Sequence, residues 1–160
     1  CVQASIAGDN FQQGYREELE RLVKQENLEG VIRFVGQLKR ESLARFYSLH
    51  HVGVFPSIHP EAFGIVGAEM MASGLAVISS CAGGARELIE HEKTGLEFEA
   101  GNSHALSEAI VRVIKEPGLW KRISKNGQNE ANKRFSVEQS ARLLETGFKK
   151  TEETKKIMFR

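Results

Sequence analysis

Cysteine, proline and aspartate are all scarce in this chain: among 160 residues there are two cysteines, three prolines and a single aspartate, Asp9. Cys1 and Cys81 lack metal-ligand spacing and make no disulfide framework, which predicts a reducing, cytoplasmic setting. One aspartate excludes an Asp-x-Asp metal motif. Long hydrophobic runs are also missing. The longest, around Ile65 to Ala72, falls well short of the ~20 residues of a membrane helix, and no signal segment is visible. Nor is there an excess of charge of one sign: 22 Lys and Arg face 21 Asp and Glu, interspersed, for a net charge of +1. That balance argues against a nucleic-acid surface, which shows a basic stripe. His50, His51 and His59 form no metal set, because the adjacent pair point apart and no third ligand has suitable spacing.

What is present suffices for one globular domain, at 41% apolar composition. Val2 to Ala7, ending in Gly8-Asp9, reads as a strand, and Gln12 to Glu26 as a polar helix with Leu19, Leu22 and Val23 on its inner face. Val31 to Val35 is a short strand ended by Gly36, and Arg40 to Leu49 an amphipathic helix with Leu43, Phe46 and Tyr47 inward. Val52 to Phe55 and Leu75 to Ser79 are buried strands, and Thr94 to Phe98 holds the last, short strand. From Ser103 the pattern is helical: Ala105 to Lys115, Leu119 to Phe135, and Val137 to about Lys149 behind a Ser136 cap. Strand-crossover-strand units predict an α/β fold, a Rossmann-like parallel sheet with helices on both faces. In such sheets ligands bind beyond the carboxyl ends of the strands, where Gly8, Gly36, Ser57 and Gly83 fall.

The chain is organised around Pro56 to Glu87, and within it around EAFGIVGAE. Glu61 lies in a loop, and Phe63-Gly64 lead into an apolar helix whose one charge is Glu69. With Ile65, Val66, Ala68, Met70, Met71 and Ala72 around Glu69, the helix is expected to be sandwiched on most sides. A carboxylate there must be paired or await a ligand. Gly64 is expected to let a ligand approach the amides of Gly64 to Val66, which lack intrahelical acceptors and suit phosphate oxygens. Glu69, one turn on, could accept two hydrogen bonds from a ribose diol, and Glu61 would reach a sugar beyond the phosphates. Gly83-Gly84 reads either as a phosphate-facing turn or as a tight strand-to-helix connection, and Glu87 as favourable dipole placement. His59 is kept as a donor-site contact because it lies in the pocket loop.

Two glutamates with seven residues between them, FG among these, followed by G-x-x-V-I-S-S-x-x-G-G-x-x-E, resemble the retaining GT-B glycosyltransferases of family 4. The resemblance extends to I-A-G-D at Ile6 to Asp9, V-I-R-F-V-G at Val31 to Gly36, V-F-P-S at Val54 to Ser57 and K-T-G at Lys93 to Gly95, and so covers residues 2 to 148. It implies the C-terminal, donor-binding half of a GT-B fold, with Glu61 on the transferred sugar, backbone amides of Phe63, Gly64 and Ile65 on sugar and pyrophosphate, and Glu69 on ribose. Gly36 and Gln37 would stand in the base-binding loop. The donor would be a nucleotide sugar of unspecified base, with no metal or other cofactor.

The family's N-terminal acceptor-binding domain, and an arginine and a lysine ahead of the first strand, have no counterpart here; Arg33 and Arg86 do not stand in their positions. The expected organisation is therefore a donor-binding domain over residues 1–150, truncated at its N-terminus and inactive alone, then a charged tail over 151–160. In the parent enzyme, Leu119, Trp120, Ile123, Phe135, Val137, Leu143, Leu144 and Phe148 would pack toward the absent domain. The resemblance also allows peripheral association with the inner membrane face. The alternatives are a non-enzymatic nucleotide-binding module and another nucleotide-sugar enzyme of the same architecture, such as an epimerase.

Overall fold

A computed structural model describes residues 2–8 and 14–158, with side chains to residue 151. Cys1, Asp9 and the start expected for the first helix at Gln12 lie outside the described residues. The chain divides into two compact units, Cys1–Arg45 and Phe46–Arg160. The strands form parallel ladders with helices between them, as the alternating pattern predicts.

In the first unit β1 (Ala4–Ala7) pairs in parallel with β2 (Ile32–Gly36), and α1 (Tyr15–Gln25) connects them. The register slips by one residue between Ile6 and Ala7, so that Ala7 faces Gly36 rather than Val35. Leu19 and Val23 of α1 are half-buried, but Leu22 is exposed, contrary to the expected inner face. With one two-stranded sheet to cover, the helix buries a narrower stripe than its apolar residues offer.

The second unit carries β3 (Val52–Phe55), β4 (Ala76–Ser79) and β5 (Leu96–Glu97), all parallel, with β4 in the middle. All four residues of β4 are buried. Alternation along the strand sends Val77 into one cluster, with Phe55, Met71, Ala85 and Leu88, and Ala76 and Ile78 into another, with Leu96, Ala109, Val113, Leu119 and Ile123. Helix α3 (Ile65–Ala72) belongs to the first cluster and α4 (Ser103–Lys115) to the second. Helix α5 (Leu119–Arg134) serves both: Leu119 and Ile123 lie in the second and Ala131 in the first. Gly127 sits between, where a Cβ would stand 2.7 Å from the Thr94 carbonyl oxygen. Leu119 and Ile123 are therefore core residues and not part of an outward face, which corrects the sequence expectation; their spacing fits the sheet beneath them.

Trp120 and Phe135 are half-buried against the same two clusters, whereas Val137, Leu143, Leu144 and Phe148 of α6 (Val137–Met158) are all exposed. Ser136 caps α6 by accepting the Gln139 amide at 3.1 Å, and Asn102 caps α4 through Ala105 at 3.0 Å. Helix α6 continues past Lys149 to Met158, because the Glu- and Lys-rich sequence beyond Thr151 consists largely of good helix formers. Among the described residues no helix is long and apolar enough to cross a membrane.

Helix α3 departs from its expected sandwich. Gly67 and Met71 are buried and Ala68 and Met70 pack on the core, yet Ile65, Val66 and Ala72 are exposed. One sheet face covers one side of the helix. The K-T-G turn is a structural staple: Thr94 Oγ1 accepts the Glu90 amide at 2.8 Å, and the Asn126 side chain donates to the Lys93 carbonyl at 3.1 Å.

The glycine pair after β4 is the tightest point of the fold. A Cβ on Gly83 would lie 2.6 Å from the Glu61 carbonyl oxygen, and one on Gly84 would overlap the carbonyl of Ala62. We expect Gly84→Ala to lower stability by about 2 kcal/mol or more, because backbone must move to admit the methyl group. Gly147→Ala, in an open position of α6, should raise it by up to about 1 kcal/mol. Urea unfolding of both variants checks the contrast.

Cys81, in the same turn, is buried and adopts φ 50°. Burial pushes its thiol up from 9.0 to about 11, and the Glu97 carboxylate adds to the shift. The folded state therefore holds the thiol proton more tightly than the unfolded chain. The resulting stability is complete below about pH 9 and is lost as pH rises through about 11. Urea midpoints between those limits should fall more steeply in the natural chain than in Cys81→Ser; parallel slopes would contradict this account.

Candidate functional site

The strands end where the sequence places the ligand loops. In the first unit Gly8 follows β1 and Gly36 closes β2, and the Gly8 amide donates to the Gly36 carbonyl at 3.0 Å. Gly36 has φ 70°, a conformation few side chains adopt, and Gln37 beyond it is exposed. The remaining predicted site residues lie in the second unit and are assembled there by the turn after β4.

That turn is stitched to the Glu61 loop through main chain. The Glu61 amide donates to the Ala82 carbonyl at 3.1 Å, and its carbonyl accepts the Gly84 amide at 2.7 Å. Ser79 accepts the Cys81 amide at 3.0 Å, and Ser80 Oγ donates to the Ser57 carbonyl at 2.6 Å. Of the two readings of Gly83-Gly84, the close approach of the Glu61-Ala62 backbone favours the tight connection. A 3₁₀ turn, Gly84–Glu87, follows, with Ala85 and Leu88 buried beneath it. Glu87 is exposed.

Gly64 caps α3 in the left-handed region, at φ 86° and ψ 55°. A Cβ there would meet the Phe55 ring at 2.9 Å and Leu88 at 3.1 Å. The missing side chain thus makes room for the core, not for an approaching ligand as the sequence suggested. Its backbone conformation still turns the chain into the helix. The amides of Ile65, Val66 and Gly67 have no acceptor among the described residues, and α3 has no side-chain cap. Phe63 anchors the turn, its ring packing edge-on against Phe135 at 5.1 Å. Ile65 and Val66 expose their side chains beside the free amides. The helix start is therefore an open, positively polarised terminus.

The two carboxylates flank it in sequence. Glu61, half-buried, accepts the Ser57 hydroxyl at 2.6 Å on Oε1. Glu69, also half-buried, is approached by the Tyr47 hydroxyl at 3.5 Å on Oε2. Burial raises the Tyr47 phenol above its ordinary value, and the charge and hydrogen bond of Glu69 raise it further, so the phenol stays a neutral donor. Tyr47 and Ser80 support the site without having stood out in the sequence. Tyr47 read as part of the core face of α2 (Arg40–Ser48), and Ser80 only as the second serine of the V-I-S-S run, just past a buried strand. Each carboxylate keeps one oxygen without a protein partner among the described residues.

The histidines are separate features. His50 Nδ1 lies 2.7 Å from the Phe46 carbonyl, the His51 ring packs edge-on against Trp120 at 5.2 Å, and His59 is exposed. Among the described residues no three His, Cys, Asp or Glu side chains converge as a metal set would.

Comparisons with known proteins place the chain in a family. The family model for glycosyl transferases group 1 matches residues 2–130. An uncharacterized glycosyltransferase of Methanocaldococcus jannaschii is 31% identical over 137 residues, covering 86% of this chain and 34% of that protein. D-inositol 3-phosphate glycosyltransferase of Nocardioides is 29% identical over 132 residues, covering 79% and 28%. The chain thus spans about a third or less of the length of these relatives. Among solved structures, Anabaena HepE in complex with UDP and glucose superposes with a TM-score of 0.81 at 30% identity, over 91% of this chain and 41% of that one. Sucrose-phosphate synthase from Thermosynechococcus elongatus gives 0.81 at 33%, over 95% and 39%. The chain therefore belongs to the glycosyl transferases group 1 family, with the GT-B fold, and the uncapped helix start between Glu61 and Glu69 lies within the matched region.

Proposed function

We propose that this chain is the nucleotide-sugar-binding half of a retaining, family 4 glycosyltransferase, with residues 1–150 as its donor domain. The observation that carries the reading is the α3 terminus: three amides without acceptors, preceded by Glu61 and followed one turn later by Glu69. The amides of Ile65, Val66 and Gly67 would bind the diphosphate and take up the negative charge that develops as it leaves. Glu69, steadied by Tyr47, would accept the two ribose hydroxyls through its unpartnered oxygen and its weakly held one. Glu61 would accept hydroxyls of the sugar. In the transfer, the bond from the anomeric carbon to the phosphate oxygen breaks and one to the acceptor hydroxyl oxygen forms. The hydroxyl proton leaves with the departing nucleotide.

HepE, solved with UDP and with UDP-glucose, supports a uridine nucleotide as the first ligand to try. In the first unit, taken by itself, Gly36 and Gln37, with the Gly8 amide on the Gly36 carbonyl, are proposed as a binding loop that would act through main chain. Nothing in this arrangement of residues calls for a metal, and we propose a metal-independent reaction. The acceptor would be held by a domain outside this chain, and a cytoplasmic enzyme at the inner membrane face is the setting that fits. Polysaccharide or glycoconjugate biosynthesis follows from the same resemblance.

The test is an amide NMR titration of the chain with UDP, GDP and ADP, repeated on Glu69→Ala. One base should give saturable shifts at Ile65, Val66 and Gly67, with at least about tenfold weaker binding, or about 1.4 kcal/mol, in the variant. Shifts that miss the start of α3, or equal affinity in Glu69→Ala, would overturn the assignment.

A further inference from the structure

We infer that Ser57 is the positioning residue for the Glu61 carboxylate, and that Ser80 anchors it from beneath; the inference rests on the reading of Glu61 as the sugar-facing group. Ser57 follows β3 across Pro56, and three residues separate it from Glu61. Its hydroxyl donates to Glu61 Oε1 at 2.6 Å, a short bond of the charge-assisted kind. Its own carbonyl accepts Ser80 Oγ at 2.6 Å, and Ser80 is 8% exposed at the end of the most deeply buried strand. The backbone of Glu61 is fixed independently, between the Ala82 carbonyl and the Gly84 amide.

A glutamate on a surface loop ordinarily samples several rotamers, and a ligand must select one. Here both ends of the side chain are held: the backbone by the glycine turn, and one carboxylate oxygen by a hydroxyl whose residue is tied to the sheet. Oε1 is occupied, and Oε2 is left as the oxygen that can accept a hydroxyl from outside. The loop between, Ile58-His59-Pro60, is exposed, and only the Pro60 backbone runs close against Gly83 of that turn. Preorganisation of this kind raises affinity for the group that the carboxylate meets, not for the rest of the ligand. Ser57 should therefore govern how much the sugar adds to nucleotide binding.

Two measurements on the full chain test this. In the first, UDP and UDP-glucose affinities are compared for the natural chain, Ser57→Ala and Ser57→Thr. Ser57→Ala should leave UDP affinity unchanged and remove about tenfold from the gain that glucose brings, and Ser57→Thr, which keeps the hydroxyl, should restore it. Equal losses for both ligands, or no rescue by threonine, would overturn the proposal and leave Ser57 a structural residue. In the second, three-bond NMR couplings report the χ1 rotamer of Glu61 without any ligand. One rotamer is expected in the natural chain and in Ser57→Thr, and averaging in Ser57→Ala. Should no nucleotide bind the natural chain, the reading of the site has failed, and the couplings alone decide the positioning: averaging in the natural chain, or none in Ser57→Ala, refutes it. If Ser57→Ala does not fold, Ser57→Cys, with its weaker donor, takes its place.

Discussion

Strand β4 is out of water on both faces, and nearly everything else in the second unit follows from that. Its alternation divides Ala76, Val77 and Ile78 between two apolar clusters, so helices are required on each side: α3 on one, α4 on the other, with α5 reaching both. A strand enclosed in this way can expose chemistry only at its end. There Ser79, Ser80 and Cys81 turn the chain with side-chain and backbone hydrogen bonds, and the glycine pair brings it against the loop that carries Glu61. The candidate site is thus a consequence of the core, built on the first residues that the core releases.

The electrostatic character of the site is equally indirect. Its positive potential comes from unbonded amides of a short helix, and its negative groups are two glutamates each met by a neutral hydroxyl. Neutral donors order a carboxylate without cancelling its charge. Tyr47 and Ser57 fill that part for Glu69 and Glu61, one from α2 and one from the loop after β3. Such carboxylates stay able to accept hydroxyl groups, which a lysine or arginine partner would have made less available.

The sequence made the frame and the central motif legible, because both rest on local patterns. The run Val52 to Phe55 is a strand with those bounds, and the cap at Ser136 was visible as a residue type ahead of an apolar period. What stayed hidden depended on what lies across from a residue. Gly64 looked like a ligand-facing glycine, yet its bare side abuts Phe55; only the packing of α3 on β3 reveals that. The apolar surface of α3 suggested enclosure, but Ile65 and Val66 face outward. Leu119 and Ile123 have the spacing of any inner helix face, and no pattern states whether that face meets its own sheet or another domain. The support of Glu61 by Ser57 and Ser80 joins residues 23 positions apart, beyond the reach of a motif.

The loop from Ser57 to Glu61 is closed at both ends and free in the middle. Ser57 is held through its carbonyl and Glu61 through its amide and carbonyl, whereas Ile58, His59 and Pro60 are exposed. This is the geometry of a grafting site. The side chains of Ile58 and His59 can change without touching the hydrogen bonds that hold the carboxylate, whereas Pro60 lies against Gly83. A library could therefore retune what approaches Glu61 by changing Ile58 and His59 alone, while the hydrogen-bonded base keeps the carboxylate in place.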